Sequence, residues 1–332
     1  MPPAFSPARR RALAVPAALC TALALPAAAQ TPPTAWPTKP IRVITPNSAG
    51  SGADIVTRRL VERLGPALGQ TVYVENIPGA GGVLGSETLI RAPKDGYTLA
   101  VVSSNYVIFP HLYKGLKFNA LADITPIATL CTIPMVLVTQ PGFAANNVAE
   151  LAALARKSPG KLTMGSSGNG TVLHLVGESM QEQGGFKLLH VPYKGVAPVL
   201  PDLVAGNVDV AFFAWSSVEG MVKAGRLKAI GVSGTRRLAD LPNVAPIGET
   251  LPGFNLESWV VVIGPAGLPA EVVERVNREV NAIVRSESFT AFLTKDGMLP
   301  RTGTPAETKQ FVESEYVKHG KLVKASGATV SE

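Results

Sequence analysis

The sequence predicts an α/β protein built from two lobes that face each other. Short apolar runs alternate along the chain with amphipathic runs, which is typical of βαβ units with parallel sheets. A strand, a loop rich in glycine and serine, and a helix also follow one another twice, at residues 41–68 and 161–183. Ligands in such folds bind beyond the carboxyl ends of the strands, so the repeated unit predicts a ligand cleft between the lobes.

The first residues are predicted to be a secretory signal. Three arginines at residues 9–11 precede an apolar stretch at residues 12–25, and three alanines at residues 27–29 offer a cleavage site. We therefore expect residues 1–29 to be removed by cleavage near Ala29–Gln30 and the mature chain to be periplasmic. The apolar stretch is shorter than the roughly 20 residues of a membrane span, and no membrane span is expected in the mature chain.

The remaining chain divides into predicted strands and helices. The strands are apolar runs, predicted at residues 41–45, 72–75, 99–102, 161–164, 208–213, 228–232 and 260–263. The helices are amphipathic runs, predicted at residues 54–68, 83–91, 148–157, 172–183, 197–205, about 270–285 and about 305–319. The last two begin after Pro269 and Pro305, and proline in a first turn is a helix start signal.

Composition and charge exclude several classes of function. The chain has 332 residues, a formal net charge of +7 and 46% hydrophobic residues, enough for the core of one or two domains. No basic run is interleaved with aromatic residues, so no nucleic-acid partner is expected, and the positive charge suits a small anionic ligand. Removal of the signal would leave Cys131 without an internal disulfide partner.

The glycine-rich loops lack the residues that other ligands and reactions need. Neither loop has the lysine of a phosphate-binding loop, and Leu84 stands where a dinucleotide fingerprint needs its last glycine. The four histidines form no cluster of metal-ligand spacing, so neither a metal nor a cofactor is expected. An exported serine hydrolase that uses Ser167 is an alternative, but Asn169 replaces the glycine of its motif and His174 is expected to point away from the loop.

The remaining candidate ligand is a carboxylate. Successive backbone N–H groups in a glycine-rich turn at a helix N-terminus form an anion site, and serine and threonine hydroxyls add donors. Charge-assisted hydrogen bonds contribute roughly 1.5 to 3 kcal/mol each. Four or five of them would offset the binding costs and leave the approximately 8 kcal/mol of a micromolar complex. Asp54 is expected to cap the following helix, since its charge would repel an anion.

Two further stretches follow predicted strands. Ser104 and Asn105 come after the strand at residues 99–102 and are expected to line the cleft. At least one aromatic residue of the stretch at residues 211–220 is expected in the core. Phe213 and Trp215 are also candidates to contact the ligand.

Several motifs, in order along the chain, carry a family resemblance. They are WPTKPIRVITP before the first loop, ENIPGAGGVLGSE, APKDGYTL, GSSGNGTVLHL and HVPYKGVAPVLPDLVAGNVD. With them the chain resembles the periplasmic receptors of tripartite tricarboxylate transporters, the Bug or TctC-like proteins, over nearly all of residues 36–325. The resemblance implies a periplasmic-binding-protein type II fold, with a hinge and an interlobe cleft. One lobe is expected at residues 36–131 plus 255–332 and the other at residues 132–254.

The resemblance also implies which residues hold the ligand. One carboxylate would lie between two loops, with Ser104 and Asn105 near the hinge. The loop residues are Pro46, Ser48, Ala49, Gly50, Ser51 and Gly52 in one lobe and Ser166, Ser167, Gly168, Asn169, Gly170 and Thr171 in the other. Phe213 and Ala214 replace a polar pair that is common in the family, which favours an aromatic or longer aliphatic carboxylate.

The function implied is capture of a small carboxylate for membrane permease subunits of a tripartite transporter. A sensory version of the receptor, which presents its bound ligand to a two-component sensor kinase, is the second hypothesis. Both hypotheses require a protein that binds without turnover, and the hydrolase alternative requires turnover.

Overall fold

The structure is a computed structural model that describes residues 36–329, together with residues 1, 3 and 4. Apart from those three positions, the predicted signal peptide at residues 1–29 lies outside the described residues. The chain from Trp36 onward forms one compact unit. Within the described residues, no helix has both the length and the apolar character that crossing a membrane requires.

The strands are short, and most are buried. They are β1 (Ile41–Thr45), β2 (Val72–Asn76), β3 (Thr98–Ser103), β4 (Ile124–Ile133), β5 (Met135–Thr139), β6 (Thr163–Ser166), β7 (Leu189–Pro192), β8 (Val210–Ala214), β9 (Lys228–Val232), β10 (Ser258–Pro265) and β11 (Leu299–Pro300). Every residue of β5 and β10 is buried. Such continuous apolar runs are expected of strands that are covered on both faces.

The helices connect and cover these strands. They are α1 (Gly52–Leu68), α2 (Val83–Ile90), α3 (Asn105–Leu112), α4 (Val148–Lys157), α5 (Val172–Gly184), α6 (Val199–Ala205), α7 (Trp215–Lys223), α8 (Ala270–Arg285), α9 (Glu287–Lys295) and α10 (Pro305–Ser326). Two single turns of 3₁₀ helix lie at Ala80–Gly82 and Ile247–Glu249.

Two mixed sheets share one plan. The first has the strand order β11-β4-β10-β3-β1-β2, and the second has the order β7-β6-β8-β5-β9. In each, three parallel strands (β2, β1 and β3, or β7, β6 and β8) are followed by an antiparallel strand (β10 or β5). The loops after β1 and β6 therefore occupy equivalent places, each at the carboxyl end of the central parallel strand.

Among the described residues, two segments connect the strands of the two sheets. Only Pro134 separates β4 of the first sheet from β5 of the second, and residues 233–257 connect β9 back to β10. The predicted lobe boundaries, at residues 131/132 and 254/255, stay a prediction.

Helices cover both faces of each sheet and form its core. On the first sheet, α1, α8 and α9 pack on one face, and α2, α3 and α10 on the other. On the second sheet, α4 and α5 pack on one face, and α6 and α7 on the other. This doubly covered arrangement confirms the predicted α/β fold class.

Candidate ligand-binding site

The loop after β1 is fixed by its own helix. Ser51 is the N-cap of α1, and its hydroxyl accepts a hydrogen bond from the Asp54 N–H at 3.3 Å. Gly50 adopts a φ of +77°, and its N–H donates to the Asp54 carboxylate at 2.9 Å. The left-handed conformation at Gly50 is what turns this N–H back toward the helix, and it favours glycine.

The Asp54 side chain holds this loop in place. Its carboxylate is buried and also accepts hydrogen bonds from Arg58 at 3.1 Å and from the Asn76 amide at 2.8 Å. Burial by itself would raise the pKa of Asp54, but the hydrogen bonds from Arg58, Asn76 and Gly50 outweigh it and lower that pKa below its usual value. Asp54 lies in the first turn of α1 and serves the loop rather than the ligand.

The glycine-rich stretch at residues 79–85 packs against the same loop. A Cβ on Gly85 would lie 2.7 Å from the Ile77 carbonyl oxygen and 2.8 Å from the Pro46 Cβ. Pro46 is therefore a buried packing residue, and this third motif supports the first loop instead of binding a dinucleotide. Its neighbour Gly81 reaches the cleft described below.

The loop after β6 has a tighter hydrogen-bond pattern. Gly168 and Gly170 adopt φ values of +133° and +70°. The Gly168 N–H donates to the Ser166 hydroxyl at 3.2 Å, and the Thr171 hydroxyl donates to the Gly168 carbonyl at 2.8 Å. The Ser167 hydroxyl donates to the Thr171 hydroxyl at 3.2 Å.

His174 points back toward this loop, and the expectation that it points away is wrong. The Gly170 N–H donates to the Nδ1 of His174 at 3.1 Å. Side chains on a helix lean toward its N-terminus, so a first-turn residue reaches the preceding loop. The contact repeats the one between Gly50 and Asp54: in both loops a glycine N–H is held by the side chain four residues later.

A second histidine completes the support beneath the loop. The rings of His174 and His190 stack with centroids 3.8 Å apart and planes 12° apart. The Nε2 of His190 lies 2.6 Å from the Ser166 hydroxyl, and the Nε2 of His174 lies 3.6 Å from Glu178. Burial, with the neighbouring His174, lowers the pKa of His190 to about 4, so His190 is neutral near pH 7.

A small cleft lies between this loop and α3. It is lined by Gly81, Asn105, Ile108, Phe109, Leu112, Tyr113, Asn169, Gly170 and Thr171. The Asn105 side-chain oxygen accepts a hydrogen bond from the Val172 N–H at 3.1 Å, so it ties the start of α3 beside the first sheet to the start of α5 beside the second.

The predicted site residues fall into three groups. Asn105, Asn169, Gly170 and Thr171 lie together on the cleft, and Ser166, Ser167 and Gly168 belong to the same loop. The first loop does not line this cleft. Ser48, Ala49 and Gly50 are exposed. A Cβ on Gly52 would lie 3.8 Å from the Cβ of Ala214, which ends β8 in the second sheet.

Three other predicted residues have buried side chains. The Ser104 hydroxyl lies 2.8 Å from the Ser258 hydroxyl. Phe213 and Trp215 are each 1% exposed and belong to the apolar core that α6 and α7 form with the second sheet. The expectation that at least one aromatic residue of this stretch is core agrees with their placement.

Comparison with known proteins shows the family. The model of the family described as "Tripartite tricarboxylate transporter family receptor", TctC, matches residues 56–328. The chain belongs to the TctC family. A relative named "UPF0065 protein in tcbD-tcbE intergenic region", from Pseudomonas sp. strain P51, is 33% identical over 87% of each chain. The protein BugT from Bordetella pertussis is 29% identical over 92% of this chain and 94% of its own.

Solved structures of TctC and Bug receptors share the fold. A structure titled "R. palustris Rpa4515 with adipate" matches with a TM-score of 0.82 at 29% identity, over 89% of this chain and 99% of that one. The periplasmic binding protein BugD matches with a TM-score of 0.79 at 29% identity, over 89% and 99% of the two chains. MatC from Rhodopseudomonas palustris with bound malate has a TM-score of 0.77 at 26% identity, over 86% and 99%. These matches confirm both the resemblance seen in the sequence and the two-lobed binding-protein fold.

The TctC resemblance did not reveal the apolar part of the cleft. Ile108, Phe109, Leu112 and Tyr113 come from α3, which was not predicted from the sequence. This helix is apolar on most sides and contains Pro110, so it has neither polar periodicity nor a clear start signal. The contact between His174 and His190 was also missed, because these two residues lie 16 positions apart in the sequence, on α5 and on β7.

Proposed function

We propose that the mature protein is a periplasmic solute-binding receptor. It captures a small organic carboxylate between its two lobes and delivers it to membrane permease subunits of a tripartite transporter. Membership in the TctC receptor family and the signal-like residues 1–29 support this proposal. Relatives solved with adipate and with malate support the class of ligand.

The observation that carries the proposal is the pattern of N–H groups in the loop after β6. In the part of the chain that the structure describes, the N–H groups of Ser167 and Asn169 have no hydrogen-bond acceptor. They lie at the N-terminus of α5, a 13-residue helix whose dipole favours an anion. One ligand carboxylate accepts from these two groups.

The opposite side of the cleft suits the body of the ligand. Leu112 and Tyr113 present a partly exposed apolar surface, with Ile108 and Phe109 buried behind it. The cleft measures about 20 Å³ in this structure, so an aliphatic chain packs there only after Leu112 and Tyr113 move away from the loop at residues 166–171. The first loop, with Ser48, Ser51 and Gly52, lies outside this cleft and receives the far end of the ligand. A dicarboxylate with an apolar chain, such as adipate, satisfies both ends.

Binding in such a receptor requires contacts that only the closed form makes. The hydrogen bond between Asn105 and the Val172 N–H joins elements beside the two different sheets. It therefore forms only when α3 and α5 are close. The ligand, bound next to it, stabilises the same arrangement.

A titration with adipate tests the proposal. Gly168 has a φ of +133°, and a Cβ there would lie 3.4 Å from the Tyr193 carbonyl oxygen, so asparagine and aspartate strain it equally. Gly168→Asn and Gly168→Asp then differ only in charge. We expect calorimetry to show adipate binding to the wild type, weakened binding to Gly168→Asn, and binding at least about tenfold weaker still to Gly168→Asp. Equal affinity of the two variants would contradict the proposed site.

A further inference from the structure

We propose that His174 and His190 are positioning residues. Through the Nδ1 of His174 and through Ser166, which His190 contacts, they hold the loop at residues 166–171 in its ligand-binding shape. The inference rests on the proposed function, because it concerns the same loop. Neither histidine is among the residues that line the cleft. Their rings stack on each other, and each ring contacts the loop.

The loop alternates between N–H groups that are held from behind and N–H groups that are not. The Gly168 N–H donates to Ser166 Oγ, and the Gly170 N–H donates to His174 Nδ1. The intervening N–H groups of Ser167 and Asn169 have no acceptor among the described residues. Asn169 lines the cleft, and a loop whose glycine N–H groups are held while its other N–H groups stay unpaired has the donors that an anion site needs.

His174 can hold Gly170 only when its Nδ1 carries no proton. A nitrogen that accepts a hydrogen bond must offer its lone pair, so the ring proton is on Nε2, on the side of Glu178. Protonation of Nδ1 would put one N–H group against another. Gly170 is buried, so its N–H would then have no water to replace the lost acceptor.

His190 holds the other end of the loop through Ser166. Its Nε2 lies 2.6 Å from Ser166 Oγ, the same oxygen that accepts from the Gly168 N–H. A neutral ring fits this hydroxyl as either donor or acceptor, so Ser166 stays in place. One histidine thus fixes Gly168 indirectly, and the other fixes Gly170 directly.

The stacking makes a proton on both rings unfavourable. Two positive charges with ring centroids 3.8 Å apart repel each other, and burial adds to the cost. The ionisable groups that act on the pair are Glu178 on α5 and the two rings themselves, while β6 contributes the neutral hydroxyl of Ser166. Burial and the neighbouring His174 lower the pKa of His190, and the negative charge of Glu178 raises it; the resulting pKa is about 4.

The other two histidines belong to different contacts. His111 Nε2 lies 3.0 Å from the Tyr316 carbonyl oxygen, and His319 Nδ1 lies 2.9 Å from the Glu315 carbonyl oxygen. The test therefore compares variants at one position.

Two substitutions at His174 separate the hydrogen bond from the bulk of the ring. Asparagine places an oxygen where Nδ1 lies and cannot take up a proton, whereas leucine fills the space without an acceptor. Circular dichroism establishes that each variant is folded. The readouts are amide hydrogen exchange at Gly170, which needs no ligand, and adipate affinity at pH 7.5.

We expect the Gly170 amide to be protected in the wild type and in His174→Asn and to exchange at least about tenfold faster in His174→Leu. At pH 7.5, adipate affinity should be close to that of the wild type in His174→Asn and at least about tenfold weaker in His174→Leu. Equal Gly170 protection in His174→Asn and His174→Leu would overturn the inference, as would equal adipate affinities of these two variants. If adipate does not bind the wild type, the proposed ligand is wrong, and the Gly170 exchange rates still decide the role of His174.

Discussion

The Gly170 N–H donates a hydrogen bond to the imidazole of His174, four residues later, as the Gly50 N–H does to the carboxylate of Asp54. The two loops of this receptor are therefore supported in the same way at equivalent places in the two sheets. One support is a carboxylate and the other an imidazole.

The close approach of Gly170 to α3 predicts the effect of a single methyl group. A Cβ on Gly170 would lie 2.1 Å from Leu112 Cδ1, so Gly170→Ala must displace the Leu112 side chain or the loop and should weaken adipate binding at least about tenfold. Gly160 has the same φ of +70° and nothing within 4 Å of a Cβ, so Gly160→Ala is the matched control. Calorimetry should show near wild-type affinity for the control. Similar losses in both variants would mean that backbone strain alone is responsible.

We expect the charge of Asp54 to contribute to the free energy of unfolding. Its pKa is lowered in the folded state, so its contribution is fully present above the unfolded-state pKa of about 3.9 and is lost as the pH falls through the folded-state value. Asp54→Asn keeps the size but removes the charge, and should lower the free energy of unfolding by about 1 to 3 kcal/mol at pH 7. Urea denaturation at pH 7 and pH 3 measures this. A variant as stable as the wild type at pH 7 would rule out the anchoring role.

We expect the contribution of His190 to the free energy of unfolding to be lost at a higher pH than the contribution of Asp54. Its pKa is about 4 in the folded protein against about 6.5 when unfolded, so the unfolded chain takes up the proton first. Stability is then complete above about pH 6.5 and is lost as the pH falls toward about 4, by at most about 3 kcal/mol. His190→Gln retains a partner for Ser166 and does not titrate, so its unfolding free energy should fall less between pH 7 and pH 5. Parallel curves for the two proteins would contradict this assignment.

We expect substitutions at Asn105 to change both the affinity for the ligand and the closure of the two lobes. Asn105→Ala removes the acceptor for the Val172 N–H and should weaken adipate binding, whereas Asn105→Asp keeps an acceptor but adds a negative charge beside the ligand carboxylate. We expect the aspartate variant to bind at least about tenfold more weakly than the alanine variant while both stay folded. Calorimetry gives the affinities, and small-angle scattering gives the compaction on addition of adipate. Stronger binding by the aspartate variant would place the carboxylate away from α3.

Much of the fold could be predicted because its signals are local. The bounds of β1 and β9 match the predicted residues 41–45 and 228–232, and α4 matches residues 148–157, where Asn147 caps the helix. The predicted α10 stopped at residue 319, but the helix continues to Ser326, where Gly327 ends it.

The elements that were missed lack such signals. In β4 and β5 the apolar run is interrupted by Pro126 and Pro134, and neither strand was predicted. Of two further missed helices, α7 begins at Trp215, directly after a strand, and α9 follows α8 without a loop. Their starts depend on packing, which the local sequence does not specify.

For the site, the sequence indicated the loops but not the direction of their N–H groups. Glycine and serine content pointed to residues 166–171, whereas the roles of Gly168 and Gly170 depend on Ser166, His174 and His190 in three different elements. Only the fold brings these side chains together beneath the loop.

A crystal structure of the mature protein with adipate would show whether a ligand carboxylate accepts hydrogen bonds from the N–H groups of Ser167 and Asn169. We expect a carboxylate oxygen about 2.7 to 3.2 Å from each of these two nitrogens, with the aliphatic chain against Leu112 and Tyr113. Adipate bound with both carboxylates away from the loop at residues 166–171 would contradict it.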